Sequence, residues 1–325
     1  FAALPAPFPE LDADMREEIV QITGERVMHH IGDNMVVMAT GLVGLALLAQ
    51  SKPSIRETDL NDRVERLFTA LKRTEAPIAH ALMMPSWKMT KSIERFESNR
   101  LIQRLSLDGE AVIQVVDDRR ITLEYYKNGV LHHLAPLSLM AAAIRAHRQS
   151  FADNARVSRD HPVFAEIERL FAKQIFLLRY EFTMDPDQNV GDLLEDALVG
   201  LKNYGAIHLD ASGIGIADKS HVVEMAELTR NLLESVDVTL RGAIALRNKD
   251  LNLRSMPKAL AELGQKMIAL GEIKRPEALS LVNLKNTVRA LREEGVVSFK
   301  TDGTGIAIDE STLSEHAEDI RGLLK

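Results

Sequence analysis

The sequence repeats one short unit, which is an amphipathic helix followed by a glycine and two brief strands. In the first copy, a helix is predicted over Asp192–Tyr204, and Gly205 separates it from the strands AIHLD and IGIAD. In the second copy, the predicted helix Leu284–Glu294 and Gly295 lead into the strands VVSFK and IAID, joined by the turn TDGTG. Glycine readily ends a helix in the left-handed conformation, and a glycine-rich turn closes a hairpin. Such a unit is typical of the end of a winged-helix module.

A looser third copy lies over Ser92–Tyr126. There, a helix predicted over Ser92–Leu105 precedes two predicted strands, Ala111–Val116 and Ile121–Tyr126. Most other segments show apolar residues at helical spacing, and aromatic residues make up only 5% of the chain. The predicted fold class is therefore mainly α with small β-hairpins (α+β), in helical domains that carry winged-helix-like helix–glycine–hairpin units.

The length of the chain favours more than one structural unit, since 325 residues exceed a comfortable single core. We predict a leading arm and helix over 1–34, which begins with a proline-rich arm at Phe1–Pro9. Residues 35–150 are predicted to form a helical subdomain, and 151–325 a second one that contains the two clear repeats. The boundary is placed in the polar stretch Gln149–Pro162.

Composition excludes several kinds of site. The chain contains no cysteine, so it has no disulfide, no thiolate metal site and no thiol nucleophile. The formal net charge is −7, although 40 residues are Lys or Arg. An acidic balance argues against a broad nucleic-acid-binding surface but leaves a local basic patch possible.

The longest uncharged run, Met35–Ser51, reads MVVMATGLVGLALLAQS. It is slightly shorter than the roughly 20 predominantly apolar residues that cross a bilayer, and it contains Gln50 and two glycines. We therefore expect a buried core helix here. A charged helix over Glu57–Arg73 is predicted to follow it.

The segment ITLEYYKNGVLHH has an alternating first half, with Ile121, Leu123 and Tyr125 on one side. Alternation of this kind predicts a half-buried strand. Asn128-Gly129 then predicts a sharp turn, because this pair accepts positive φ easily. Pro136 marks the start of the next helix, where its missing N–H costs nothing.

The run LEYYKNGVLH, Leu123–His132, resembles the segment Y-[YF]-[KRS]-N-x-[IV]-x-H of membrane-associated glycerol-3-phosphate acyltransferases. In that family the segment lies in the region that follows the catalytic domain. Two further stretches, Ile175–Phe182 and Leu281–Ser298, are similar to other parts of the same region. The resemblance extends from about Gly24 to Gly303 and favours the bacterial type of enzyme over animal mitochondrial relatives.

The family's catalytic block is absent from this sequence. The superfamily uses H-x-x-x-x-D, in which the His is a general base and the Asp orients it. None of the ten histidines has an Asp five residues later; the nearest case, His161 with Glu166, is typical of a helix start. The resemblance therefore implies a non-catalytic C-terminal region that holds no catalytic residue and is inactive alone.

The resemblance implies that the full-length protein is an enzyme of phospholipid biosynthesis, a glycerol-3-phosphate 1-O-acyltransferase. Such an enzyme transfers a fatty acyl group from acyl-ACP or acyl-CoA to glycerol-3-phosphate and produces lysophosphatidic acid. The expected partners are the catalytic acyltransferase domain of the same polypeptide, these substrates and the membrane surface. The expected location is the cytoplasmic face of the cell membrane, as a peripheral protein. No cofactor, metal or nucleic acid is expected.

Four residues of the resembling segment are candidates for substrate binding or for contact with the catalytic domain: Tyr126, Lys127, Asn128 and His132. Lys127 could meet a phosphate as a point charge, whereas the simpler interpretation is a turn that exposes a lysine. His132 could be structural and hold the turn after Asn128 through a backbone hydrogen bond. No metal site is predicted, because adjacent histidines point to different faces and do not chelate.

The repeated units suggest a rival function, that of a winged-helix regulatory or scaffold protein which binds DNA or protein. A recognition helix should be basic, because neutralised phosphates supply most of the nonspecific affinity. The helix over Asp192–Tyr204 carries three acidic residues and, as its only Lys or Arg, Lys202. The units are therefore expected to serve as packing or docking modules.

Overall fold

The structure is a computed structural model that describes residues 12–325, apart from 51, 53, 75, 85–86, 183–184, 186 and 300–304. Its helices are α1 Ala13–Asp33, α2 Ala39–Leu48, α3 Glu57–Leu71, α4 His80–Met83, α5 Thr90–Ser98, α6 Arg120–Leu131, α7 Ala135–Ala146, α8 Pro162–Leu177, α9 Val190–Tyr204, α10 Lys219–Ala226, α11 Arg230–Leu246, α12 Met256–Ala269, α13 Leu281–Glu293 and α14 Glu310–Leu324. Its strands are β1 Ser54–Arg56, β2 Ile102–Leu107, β3 Glu110–Val115, β4 Ile207–Asp210, β5 Gly213–Ile216, β6 Val297–Phe299 and β7 Ile306–Ile308. The mainly α fold class with small hairpins is confirmed. The predicted arm at Phe1–Pro9 lies outside the described residues.

The apolar run after residue 35 forms α2, which is buried from Gly41 to Leu48 as predicted for a core helix. Helix α6 packs closely along it. A Cβ added at Gly41 would lie 2.7 Å from a methyl carbon of Val130, and one added at Gly44 would lie 3.2 Å from the Cβ of Tyr126. Glycine is therefore needed here for two helix backbones to approach. Among the described residues, no helix combines the length and apolarity required to cross a membrane.

The strand predicted over Ile121–Tyr126 is wrong, because these residues lie in helix α6. The turn predicted at Asn128-Gly129 is also wrong, since both residues continue the same helix. Leu123, Lys127 and Val130 are buried, and their spacing places them on one face of a helix. The alternating residues do not share a buried face, because Ile121 and Tyr125 are exposed while Leu123 is buried against the core. The predicted helix after it is confirmed as α7.

Both clear helix–glycine–hairpin units are confirmed. Gly205 and Gly295 each follow a helix with φ of 80°, which is the left-handed conformation that favours glycine. Strand β4 pairs antiparallel with β5, and β6 with β7. Most of the turn TDGTG lies outside the described residues.

The third, looser unit differs from its prediction in two ways. Its helix α5 ends at Ser98 rather than continuing to Leu105, and the freed residues form strand β2. Strand β2 then pairs with β3, and β1 joins the other edge of β3 to give the order β1-β3-β2. Arg100, with φ of 57°, occupies the position where the other units have glycine.

Helix α7 lies at the centre of the second half of the core. Its residues Leu139–Ile144 have no exposed surface, and α7 packs against α8, α9, α10 and α14. The polar stretch predicted as a boundary includes Val157, whose backbone N–H and carbonyl both bond to Ile214 at 2.9 Å. The division at residue 150 stays a prediction.

Candidate functional site

Helix α6 brings the four candidate residues onto one element, although each has a different environment. Tyr126 is partly buried between α2 and α5, and its ring meets the edge of Phe96 with 5.2 Å between centroids. Asn128 is exposed on the side of α6 that faces away from α2. The helical spacing separates these two side chains, so they do not form one binding surface.

Lys127 points into the protein rather than to solvent. Only 2% of the residue is exposed. Its Nζ donates to Asn231 Oδ1 at 2.9 Å and forms an ion pair with Glu124 at 2.8 Å. The ammonium therefore links α6 to the first turn of α11. These two polar contacts offset the loss of water that a buried charge suffers.

A cleft of about 680 Å³ lies beside α6, and we call it the α6 cleft. Its α6 wall includes Tyr125, Asn128 and His132, and the opposite wall includes Glu181 and Glu277. Burial raises the pKa of Glu181, more than the hydrogen bond from Asn286 lowers it. Among the described residues the lining contains neither Lys nor Arg. The cleft therefore suits hydrogen-bond donors and does not suit a phosphate.

His132 and His133 connect the end of α6 to the last turn of α1 and to the segment that follows it. His132 Nε2 lies 2.9 Å from the Gly32 carbonyl oxygen, and His133 Nε2 lies 3.2 Å from that of Met35. Burial lowers the pKa of both imidazoles, more than these carbonyls raise it. The neutral rings can thus donate N–H groups to the two carbonyls at neutral pH.

We expect the fold to lose stability as the pH falls from 7.5 to 5.5, partly through these histidines. Their pKa values are lower when folded than when unfolded, so the unfolded chain binds more protons once the pH passes below about 6.5. The measurement is the free energy of unfolding in urea across this range. Replacing both His132 and His133 by Gln should make the dependence shallower. If the unfolding free energy of the double variant depends on pH as steeply as that of the original protein, His132 and His133 do not contribute to the pH dependence.

A buried ionic cluster lies between α7, α11 and the segment before α13, and we call it the Glu227 cluster. It comprises Arg145, Glu227, Arg230, Glu234 and Arg275, each at most 7% exposed. Burial raises the pKa of Glu227, but the surrounding guanidinium groups outweigh it, so this pKa lies below its ordinary value. The carboxylate therefore stays ionised inside the protein.

Hydrogen bonds join the side chains of the Glu227 cluster to one another. Arg145 and Arg230 donate to Glu227 Oε1 at 2.9 and 2.8 Å, and Arg275 donates to Oε2 at 3.0 Å. Arg230 also donates to Glu234 at 2.8 Å. Arg145 Nη2 and Arg230 Nη2 donate to the carbonyls of Leu323 and Leu324 at the end of α14. The cluster thus ties four distant parts of the sequence together.

Sequence reasoning missed the Glu227 cluster. A signal was present, because Arg145 falls within the apolar run PLSLMAAAIRAHR, where a charge requires a buried partner. The identity of that partner, 82 residues further along, is not readable from spacing. A second buried pair, Arg120 with Glu277 at 2.6 Å, was missed for the same reason.

The Glu227 cluster and the pair of Arg120 with Glu277 are suited to holding helices together rather than to catalysis. His161 caps the start of α8 by accepting from the Val163 N–H at 3.1 Å, as a helix start predicts. Glu166, which follows it, pairs with Arg169. Within the described part of the chain, no group of three His, Asp or Glu residues could hold a metal ion.

Comparison with known proteins identifies the family to which the chain is similar. The family described as the glycerol-3-phosphate acyltransferase C-terminal region matches residues 5–300. Relatives named glycerol-3-phosphate acyltransferase include one from Ectopseudomonas mendocina (strain ymp), 23% identical over 91% of this chain and 34% of its own length. Another, from Pseudomonas paraeruginosa (strain PA7), is 25% identical over 95% of this chain and 36% of its own length.

The chain thus spans about a third of the length of the curated relatives it matches. The family match extends over α1 to α13 and includes the YYKN segment on α6, from which the resemblance was first inferred. This protein chain belongs to the family of glycerol-3-phosphate acyltransferase C-terminal regions.

Proposed function

We propose that this chain is the non-catalytic part of a glycerol-3-phosphate 1-O-acyltransferase and braces the catalytic domain of the same polypeptide. The observation that carries the proposal is the family match over residues 5–300 in a sequence that lacks H-x-x-x-x-D. A domain that supports another domain must hold its own helices in a fixed arrangement. The buried ion pairs at Glu227 and Glu277, which join segments distant in sequence, are consistent with that role.

The proposed reaction of the full-length protein is acyl transfer from acyl-ACP or acyl-CoA to the sn-1 hydroxyl of glycerol-3-phosphate. The catalytic base would lie on the catalytic domain, because no His of this chain has the required partner. Tyr126, Lys127 and His132 would contribute by holding α6 in place, and the exposed Asn128 would face the substrate or the catalytic domain. The inward ion pair of Lys127 with Glu124 supports this positioning role over direct contact with phosphate.

The proposal is tested by comparing two polypeptides for formation of lysophosphatidic acid from labelled glycerol-3-phosphate and acyl-CoA. One is the 325-residue chain, and the other is the natural full-length product of its gene. We expect the chain alone to show no turnover above the uncatalysed rate, and the full-length product to be active. Turnover by the chain alone would overturn the non-catalytic assignment. A full-length product without acyltransferase activity would overturn the proposed function.

We also propose that the full-length protein works at the cytoplasmic face of the membrane as a peripheral protein. Four exposed cations lie within residues 247–258: Arg247, Lys249, Arg254 and Lys258. Near an anionic surface each basic residue contributes about 1 kcal/mol of attraction. Co-sedimentation with phosphatidylglycerol vesicles that is lost in high salt would support this contact, and binding to neutral vesicles alone would contradict it.

The rival function of a winged-helix regulator has less support. The most basic candidate recognition helix is α13, and its Arg289 is already engaged with the chain itself. The Arg289 guanidinium lies 3.9 Å from the centroid of the Tyr180 ring and 3.4 Å from Glu293. Duplex DNA is therefore not the proposed ligand.

A further inference from the structure

Helix α1 carries an apolar stripe that no other described residue covers. Val20, Gly24, Val27 and Ile31 recur at the spacing i, i+4, i+7 and i+11, which places them along one side of the helix. Val20 is 60% exposed, Val27 51% and Ile31 54%. A Cβ added at Gly24 would meet no atom of a described residue within 4 Å. Within the part of the chain that the structure describes, the stripe is therefore uncovered along three turns.

Further exposed apolar side chains lie close to the stripe in sequence. Met28 lies beside it on α1, and the segment after α1 adds Met35, Val36 and Met38, each more than 40% exposed. Single exposed apolar residues are ordinary, whereas eight large ones within residues 20–38 are typical of an interaction site. We call this group, together with the stripe, the α1 face.

Helix α1 is attached to the body of the protein mainly by polar contacts on its other sides. Arg26 pairs with Asp187 at 2.7 Å, and His132 and His133 hold the backbone after residue 31. Among the described residues, no other helix or strand packs extensively along α1. A helix with so little tertiary packing is stabilised in proteins by burial of its apolar side.

The charges of α1 discriminate between possible occupants of the α1 face. A helix that lies on an anionic membrane is rich in Lys and Arg. Helix α1 contains no lysine, and its acidic residues outnumber Arg16 and Arg26. A protein surface that is apolar and uncharged at its centre is the better match. A segment with four exposed cations, residues 247–258, lies elsewhere in the chain.

We propose that the α1 face is the docking surface for the remaining two-thirds of the full-length polypeptide. This inference rests on the proposed function, because it requires a catalytic domain in the same chain. Relatives of the family are about three times as long as this chain, and the family match includes α1. The occupant would therefore be covalently linked, and its effective concentration would be high even for a modest contact.

The absence of cysteine allows a direct test, because an introduced thiol is the only one in the 325-residue chain. Val27→Cys places a thiol in the α1 face. Val199→Cys is the matched control, since Val199 lies in the middle of α9 and is 48% exposed. Each variant is made in the 325-residue chain and in the full-length protein, and maleimide labelling at that position is followed by peptide mass spectrometry.

We expect labelling at residue 27 to slow at least about tenfold in the full-length protein relative to the 325-residue chain, since thiol reactivity follows exposure. Labelling at residue 199 should be equal in both. Acyltransferase activity of the same full-length samples reports on the proposed function separately. An active enzyme with equal labelling at residue 27 would overturn the docking surface alone. A full-length product with neither activity nor a further domain would overturn both proposals.

Two further measurements identify other occupants. If labelling of the 325-residue chain at residue 27 slows as its concentration rises, the α1 face binds a second copy. If it slows on addition of phosphatidylglycerol vesicles, the α1 face binds lipid. Either result without protection in the full-length protein would overturn the proposal.

Discussion

The variant Glu227→Gln should lose about 3–5 kcal/mol of unfolding free energy, because removing one partner leaves buried charges uncompensated. Arg145 and Arg275 would keep only backbone carbonyls and the neutral side chain as acceptors. Arg230 would retain Glu234. Natural domains are stable by about 5–15 kcal/mol, so a loss of this size is a large fraction of the total.

The measurement is urea unfolding followed by far-ultraviolet circular dichroism. Glu293→Gln is the matched control, because Glu293 also contacts two arginines but its side chain is 45% exposed. The control should lose no more than about 1 kcal/mol, since exposed ion pairs contribute little. If both variants lose the same free energy of unfolding, burial does not determine how much the Glu227 cluster contributes to stability.

The variant Lys127→Met should lose about 2–3 kcal/mol, because Glu124 and Asn231 would lose their shared cation in a largely dry site. Methionine keeps the apolar length of the side chain, so the change reports on the charge. Lys202→Met, at an exposed position near the end of α9, should change stability by less than about 0.5 kcal/mol.

The same Lys127→Met change in the full-length enzyme separates positioning from substrate binding. If Lys127 only holds α6 in place, KM for glycerol-3-phosphate should stay within about twofold of the original at a temperature where the variant is folded. A large rise in KM with unchanged stability would instead place Lys127 at the substrate.

Local signals were sufficient to predict the helix–glycine–hairpin units. Gly205 and Gly295 terminate their helices through a backbone conformation that the residue type itself favours. The burial of α2 was also predictable, because an uncharged apolar run that is too short to cross a bilayer is expected in the protein core. These features depend on a few adjacent residues.

The misassigned α6 depended on distant residues. Six alternating residues fit a strand, and only the approach of α2 at Gly41 and Gly44 favours the helix. The burial of Lys127 had no local signal either, since its acceptor Asn231 lies 104 residues away. The resemblance of this segment to a family was sufficient to name the candidate residues. It was not sufficient to predict which of them are buried or what they contact.

The attachment of α1 has a consequence for how far its start can move. A helix of 21 residues is roughly 30 Å long, and the contacts that attach it lie in its second half, where Arg26 pairs with Asp187 and the Gly32 carbonyl meets His132. Residues 13–25, which form roughly 20 Å of helix, precede these contacts. A rotation of about 10° about Arg26 would therefore displace the start of α1 by roughly 3 Å.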